Sequence, residues 1–254
     1  MTKKNKIATM TGIVLLSAGL LAGCTTSNTQ GGPTNTASIQ KATKYVSTNV
    51  SFLVGKDGAI PEGSNIKDKV VIDVYLDPLC PGCFVFENST GEYLNKELST
   101  GKVVVRYHPL MFLDANSTDQ YSSRASAYLI GVADASPKLA NKFLAALFSE
   151  KFYPTEENYR PTSNEDLDKL FKSIGGTDEE VKVINSKLKK NMNSVYEKTM
   201  AVVKDKELAK KSPTGTMFTP FVIPNSPGKT DANAISIQGD MNSELKNAVE
   251  KALK

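Results

Sequence analysis

Apolar residues follow two rhythms along the chain. Between residues 49 and 107 they cluster in short β-branched runs, and from about 119 to 210 they recur at helical spacing. Val70-Val71-Ile72-Asp73-Val74-Tyr75-Leu76 is nearly continuous and stops at Pro78, which predicts a buried strand. Val103-Val104-Val105-Arg106-Tyr107 predicts another. Between them a helix begins at Cys80, runs through Phe84, Phe86 and Tyr93-Leu94 to Leu98, and stops at Thr100-Gly101. Strand, helix and strand in that order form a right-handed βαβ unit with a parallel pair. Upstream, Asn49 to Val54 reads as a first strand closed by Gly55-Lys56-Asp57-Gly58, and Ser38 to Ser47 as a short helix.

The helical rhythm predicts segments over Tyr121 to Ala133 and Lys138 to Phe148, then an interruption at Pro154 to Pro161. Ser163 or Asn164 caps a helix to Ile174, which Gly175-Gly176 ends. Thr177 and Glu180 form a capping box for a longer helix to about Lys210. Short runs then return: Met217 to Ile223 and Ala234 to Ile237 read as an antiparallel hairpin around a turn-rich Pro224 to Asn233. Gly239-Asp240 opens a final amphipathic helix carrying Leu245, Val249 and Leu253. The order is βαβ, a helical block, then ββα, an α/β protein.

The first residues follow neither rhythm. Lys3, Lys4 and Lys6 precede an apolar stretch from Ile7 to Leu20, too short for a comfortable membrane span, and Leu21-Ala22-Gly23-Cys24 follows. This segment resembles a bacterial lipoprotein signal peptide (1–23). The resemblance implies cleavage before Cys24, acylation of its thiol and a membrane-anchored, extracytoplasmic protein. Thr25 to Ala37 is polar and turn-rich and would complete a flexible linker over 24–37. The formal charge of +4 shrinks to +1 without the three leading lysines, so no basic excess suggests nucleic acid.

That leaves the chemistry. Of three cysteines, Cys24 would carry lipid if the signal-peptide resemblance holds, and the other two form Cys80-Pro81-Gly82-Cys83 at the mouth of the predicted helix. Pro81 suits the first helical position. Unpaired N–H groups and the positive helix end favour a thiolate at Cys80, and Cys83 lies one turn on, able to resolve a mixed disulfide. A zinc site needs more ligands than one cysteine pair and a sole histidine supply, so no metal or other cofactor is expected. His108 ends its strand and reads as an ordinary strand-end side chain. Phe84, Phe86 and Tyr75 fill the core or border a groove, and the runs Lys187 to Lys190 and Lys204 to Lys211 read as solvated helix faces.

Asp77-Pro78-Leu79-Cys80-Pro81-Gly82-Cys83, the helical block and Phe218-Thr219-Pro220-Phe221 together resemble the DsbA-like thiol–disulfide oxidoreductases. The resemblance implies a thioredoxin fold whose two parts, 38–118 and 212–254, flank an inserted helical domain over 119–211. It makes Cys80 and Cys83 the catalytic pair, and Thr219-Pro220 a cis-proline loop facing the sulfurs and bordering the client groove. It implies reduced or unfolded exported proteins as clients, a DsbB-like or VKOR-like membrane partner for reoxidation, and a monomer. Two departures stand out. The family often has a buried acid six residues before the first cysteine, where this chain has Val74, and Asp73 falls on the other face of the strand. Strongly oxidising relatives carry His between the cysteines, where this chain has Gly82, so a weaker oxidant is expected. Three functions stay open: an oxidase, favoured here; a reductase, isomerase or thiol donor for cytochrome maturation; and a non-enzymatic surface lipoprotein.

Overall fold

A computed structural model describes residues 43–155, 159–235 and 239–254. The leader, the linker and Cys24 lie outside the described residues, as do positions 236 and 237 of the expected last strand. Five strands, β1 (Phe52–Gly55), β2 (Gly58–Ile60), β3 (Val70–Leu76), β4 (Val103–Pro109) and β5 (Phe221–Asn225), form one sheet in the order β2-β1-β4-β3-β5. β3 and β4 run parallel, joined by α1 (Pro81–Ser99), while β1 lies antiparallel to β4 and β5 antiparallel to β3. This is the expected βαβ unit. β5 pairs Phe221 with Tyr75, which brings the residue after Pro220 beside the strand that delivers the cysteines.

Alternation along β3 sorts the two faces. Val70, Ile72 and Val74 are fully buried and cluster with Phe86, Leu94 and Leu98 of α1 and with Leu245, Val249 and Ala252 of the last helix, α7 (Met241–Ala252). Tyr75 points the other way, into a smaller cluster with Leu110, Val202, Leu208, Phe221 and Ile223. The helical block comprises α2 (Tyr121–Ala135), α3 (Ala140–Leu147), α4 (Asn164–Ser173), α5 (Asp178–Lys204) and α6 (Lys206–Lys210). Tyr121 through Ala133 is buried throughout except at Arg124, so α2 is a central helix with neighbours all round. Capping boxes start α4 at Ser163 and α5 at Thr177, each with its side-chain and backbone bonds in place.

Several expectations change. Residues 43–47 are not helical; Val46 instead bridges to Phe52 as the chain enters the sheet. β2, only three residues long, carries too little pattern to be read from sequence. The last long helix breaks at Asp205, whose side chain caps α6 by accepting from Leu208 N–H at 2.9 Å. β5 starts four residues late and runs on through Pro224 and Asn225. Ala234 and Ile235 lie outside any strand, although Ile235 N–H reaches Val222 O at 2.9 Å. At the end of α7 Ala252 turns inward and Leu253 is 40% exposed.

Gly58, in the β1–β2 turn, has φ +107°, and a Cβ there would lie 2.4 Å from Pro137 O and 2.8 Å from Lys138 Cα. Both obstacles are backbone. Gly58→Ala is expected to cost about 2–4 kcal/mol, from the left-handed conformation together with the clash, read as a lower urea midpoint at unchanged slope.

Candidate active site

β3 ends at Leu76, and Asp77-Pro78-Leu79 turns the chain into α1 with Cys80 N–H bonded to Asp77 O at 3.0 Å. Cys80 is the N-cap, extended at φ −76° and ψ 119°, and Pro81 fixes the first helical position. No side chain caps this end and no acid lies in the first turn. The orphan N–H groups that an Asp or Ser would normally satisfy are left to face sulfur.

The two thiols are free and unlike. Cys80 is 7% exposed, and its thiol is pulled down to about 6 by a hydrogen bond from Cys83, against burial, with further help from Thr219 and the N–H groups of Cys83 and Gly82. Cys83 is fully enclosed, and burial first, then the Cys80 sulfur, pushes its thiol well above the usual value. One sulfur is a poised thiolate and leaving group, the other a thiol that ionises only when its proton has somewhere to go.

Thr219–Pro220 is a cis peptide bond. It sets Thr219 O 3.2 Å from Cys80 Sγ, within reach of the protonated thiol. Gly82 lies against this loop: a Cβ there would sit 3.0 Å from Pro220 Cδ and 3.7 Å from Cys80 Sγ. Thus Cys80, Pro81, Gly82, Cys83, Thr219 and Pro220 are brought together from two distant segments.

Asp77, quoted in the sequence merely as part of a motif, is the buried acid of this site. Its side chain is fully enclosed. Oδ1 accepts from Leu79 N–H at 2.8 Å and from the Ser122 hydroxyl at 2.6 Å, and Oδ2 accepts from Leu113 N–H at 2.9 Å. Burial lifts the carboxyl to about 6, the three donors holding it there against a larger rise. A further contact escaped the sequence reading: the Tyr153 hydroxyl donates to Leu79 O at 2.8 Å, and its ring lies 4.6 Å from that of Phe84. Phe84 is half-buried, while Phe86 and Tyr75 belong to the core.

Asp73 and His108 are not part of this constellation. They lie on the opposite face of the sheet, where His108 Nε2 is 2.9 Å from Asp73 Oδ1, Arg106 donates to the same oxygen at 3.2 Å and Asn225 donates to Oδ2 at 2.9 Å. Burial pushes the imidazole down to about 4, so it is neutral at pH 7 and donates through Nε2. Burial opposes ionisation of Asp73, but its His108 and Arg106 contacts outweigh that and hold the carboxyl below its usual value. The group lines a polar cavity of about 400 Å³ with Ser51 and Lys211.

A family model described as thioredoxin matches residues 65–231, two thirds of the chain and both segments of the site. Oxidised DsbA of Mycobacterium tuberculosis is 28% identical and aligns over 80% of this chain and 99% of its own, with a TM-score of 0.57. Reduced DsbG, a disulfide bond oxidoreductase of the same organism, is 26% identical over 79% and 85% of the two chains, with a TM-score of 0.60. The serine/threonine-protein kinase PknE of Mycobacterium tuberculosis is 32% identical over 139 residues, 54% of this chain. The chain spans about a quarter of the length of that curated relative. The thiol pair at a helix N-terminus, the cis-proline opposite it and these likenesses agree: the chain belongs to the thioredoxin family, as a DsbA-like thiol–disulfide oxidoreductase.

Proposed function

We propose that the protein is an oxidase working outside the cytoplasm, held at the membrane by lipid on Cys24, which transfers the Cys80–Cys83 disulfide to reduced exported proteins. The observation that carries this reading is the asymmetry of the two thiols. A stabilised Cys80 thiolate favours the reduced enzyme, and an enzyme favoured in its reduced form gives its disulfide away.

In this reading a client thiolate attacks Cys80 Sγ, a client–Cys80 bond forms, and the Cys80–Cys83 bond breaks. The electron pair leaves on Cys83 Sγ, whose unfavourable charge is quenched by a proton from Asp77. The client's second thiolate then attacks the client sulfur of the mixed disulfide, and Cys80 leaves as a thiolate. The client has lost two electrons and the enzyme has gained them. A membrane redox partner takes them in turn and restores the disulfide. The client lies along the Thr219-Pro220 loop.

Equilibration of the full-length protein with glutathione buffers tests the direction. A potential near or above roughly −180 mV supports the oxidase, and one near roughly −270 mV replaces it with a reductant. Gly82 tunes this value. Gly82→His would carry an imidazole on a stem 3.7 Å from Cys80 Sγ, stabilising the thiolate, while the Pro220 ring shifts a few tenths of an ångström to admit it. The potential is expected to rise by about 30 mV or more, read in the same buffers.

A further inference from the structure

We propose that Ser122, from the helical block, is a positioning residue that holds Asp77 as the proton relay for Cys83. The inference rests on the proposed disulfide exchange and concerns what governs its proton.

Ser122 is the second residue of α2, with no helical carbonyl one turn before it, whereas Ser126 lies a turn further in, where a serine hydroxyl usually bonds back to the preceding turn. In α2 the hydroxyls of Ser122 and Ser126, both fully buried, instead leave the helix. Ser122 donates to Asp77 Oδ1 at 2.6 Å, and Ser126 donates to Leu110 O at 2.8 Å. The neighbouring Ser123 holds Asp114 through its N–H at 2.9 Å and its hydroxyl at 2.5 Å. From α5, Thr199 Oγ1 accepts from Met111 N–H at 3.2 Å. These bonds fasten segment 110–114, and that segment supplies the Leu113 N–H on Asp77 Oδ2. Two of the three donors on the carboxylate therefore come directly from, or are fastened by, the helical block. The third, Leu79 N–H, belongs to the turn before Cys80.

The titratable groups facing Asp77 are the thiols of Cys80 and Cys83 on α1 and the Tyr121 phenol on α2. The phenol is neutral at working pH because burial raises it further. Of the three hydrogen-bond donors on Asp77, the Ser122 hydroxyl opposes burial most strongly and is the one that comes from a side chain. Removing it leaves Asp77 protonated at pH values where it must accept the Cys83 proton.

The test uses full-length wild type, Ser122→Ala, Ser122→Thr and Asp77→Asn, each followed in two ways. Carbon NMR of labelled Asp carboxyls follows Asp77 through a pH titration without reference to activity. Single-turnover release of glutathione from a Cys80–glutathione mixed disulfide follows resolution by Cys83. This reaction forms the Cys80–Cys83 bond, breaks the bond to glutathione and passes the Cys83 proton to Asp77. In Ser122→Ala both the titration and the acid limb of the rate should move up by about one pH unit, slowing release about fivefold near pH 6. Ser122→Thr should restore both. In an Asp77→Asn background Ser122→Ala should leave the rate profile where it is, which a purely structural role would not produce.

An unmoved Asp77 titration in a Ser122→Ala protein that unfolds like wild type overturns the inference. So does an equal rate loss with and without Asp77. If wild type exchanges no disulfide, the proposed activity fails, whereas the carboxyl titration still decides whether Ser122 sets Asp77.

Discussion

Cys80→Ser is expected to reduce disulfide exchange by at least about three orders of magnitude, to the rate of uncatalysed thiols, while Cys83→Ser stalls after one step. The difference follows from position. Cys80 is at the rim, beside Thr219 O, and is the sulfur a client reaches; Cys83 is sealed beneath it. Mixed with glutathione disulfide, Cys80→Ser should form no mixed disulfide. Cys83→Ser retains the attacking thiolate and should accumulate a Cys80–glutathione adduct visible by intact mass, the other glutathione leaving as a thiolate. A second consequence is separable from turnover. The Cys83 hydrogen bond is the largest cause lowering the Cys80 thiol, so in Cys83→Ala, which has no donor there, the Cys80 thiolate absorbance should titrate above the wild-type value of about 6. Wild type exchanging disulfides no faster than Cys80→Ser would remove the catalytic reading and favour a non-enzymatic lipoprotein.

Asp77→Asn should change how stability varies with pH. The carboxyl sits near 6 in the folded protein and near 3.8 without its surroundings. Because the folded value is raised, the stabilisation from the proton is fully present below about pH 4 and is lost as pH rises through about 6. Two pH units correspond to about 3 kcal/mol, so reduced wild type should lose up to that amount between about pH 4 and pH 7 through this residue alone. Asp77→Asn has no such proton to lose. Urea unfolding of both reduced proteins at the two pH values reads the difference, since every other group titrates in both. A parallel decline would show that Asp77 ionises in the folded protein as easily as in water. Asp77→Ala is a harsher change, orphaning two buried backbone N–H groups and the Ser122 hydroxyl at a cost of about 2–5 kcal/mol.

What could be read from sequence divides along physical lines. β3, α1, β4 and the capped helices are local signals: an apolar run, a proline at the first helical turn, and Thr or Ser three residues before an acid. Thr219–Pro220 opposite the cysteines came from the family resemblance, and the cis bond agrees with it. Ser122 could not be found that way. Its partner is 45 residues away in sequence, and a serine in a helix usually signals nothing. Asp77 could have been suspected, because an acid at the end of a buried strand must find donors there. Met217 to Pro220 continue the apolar run of β5, yet they form the loop beside the thiols because the ladder to β3 opens at Phe221. A run of suitable composition does not reveal which of its residues find a partner strand.

The ends of the sheet also govern how this protein behaves in company. An exposed strand edge is a template on which another extended chain can pair and aggregate, a hazard for a protein proposed to meet unfolded clients. On one side β2 offers three residues, too few for a lasting ladder. On the other, Val222 turns its carbonyl outward to Ile235 N–H, so Pro224, two residues on, turns outward as well, and it has no N–H to lend. Among the described residues both margins are blunted. In the proposed function clients are held by sulfur and the loop beside it, in a contact that ends when the disulfide moves.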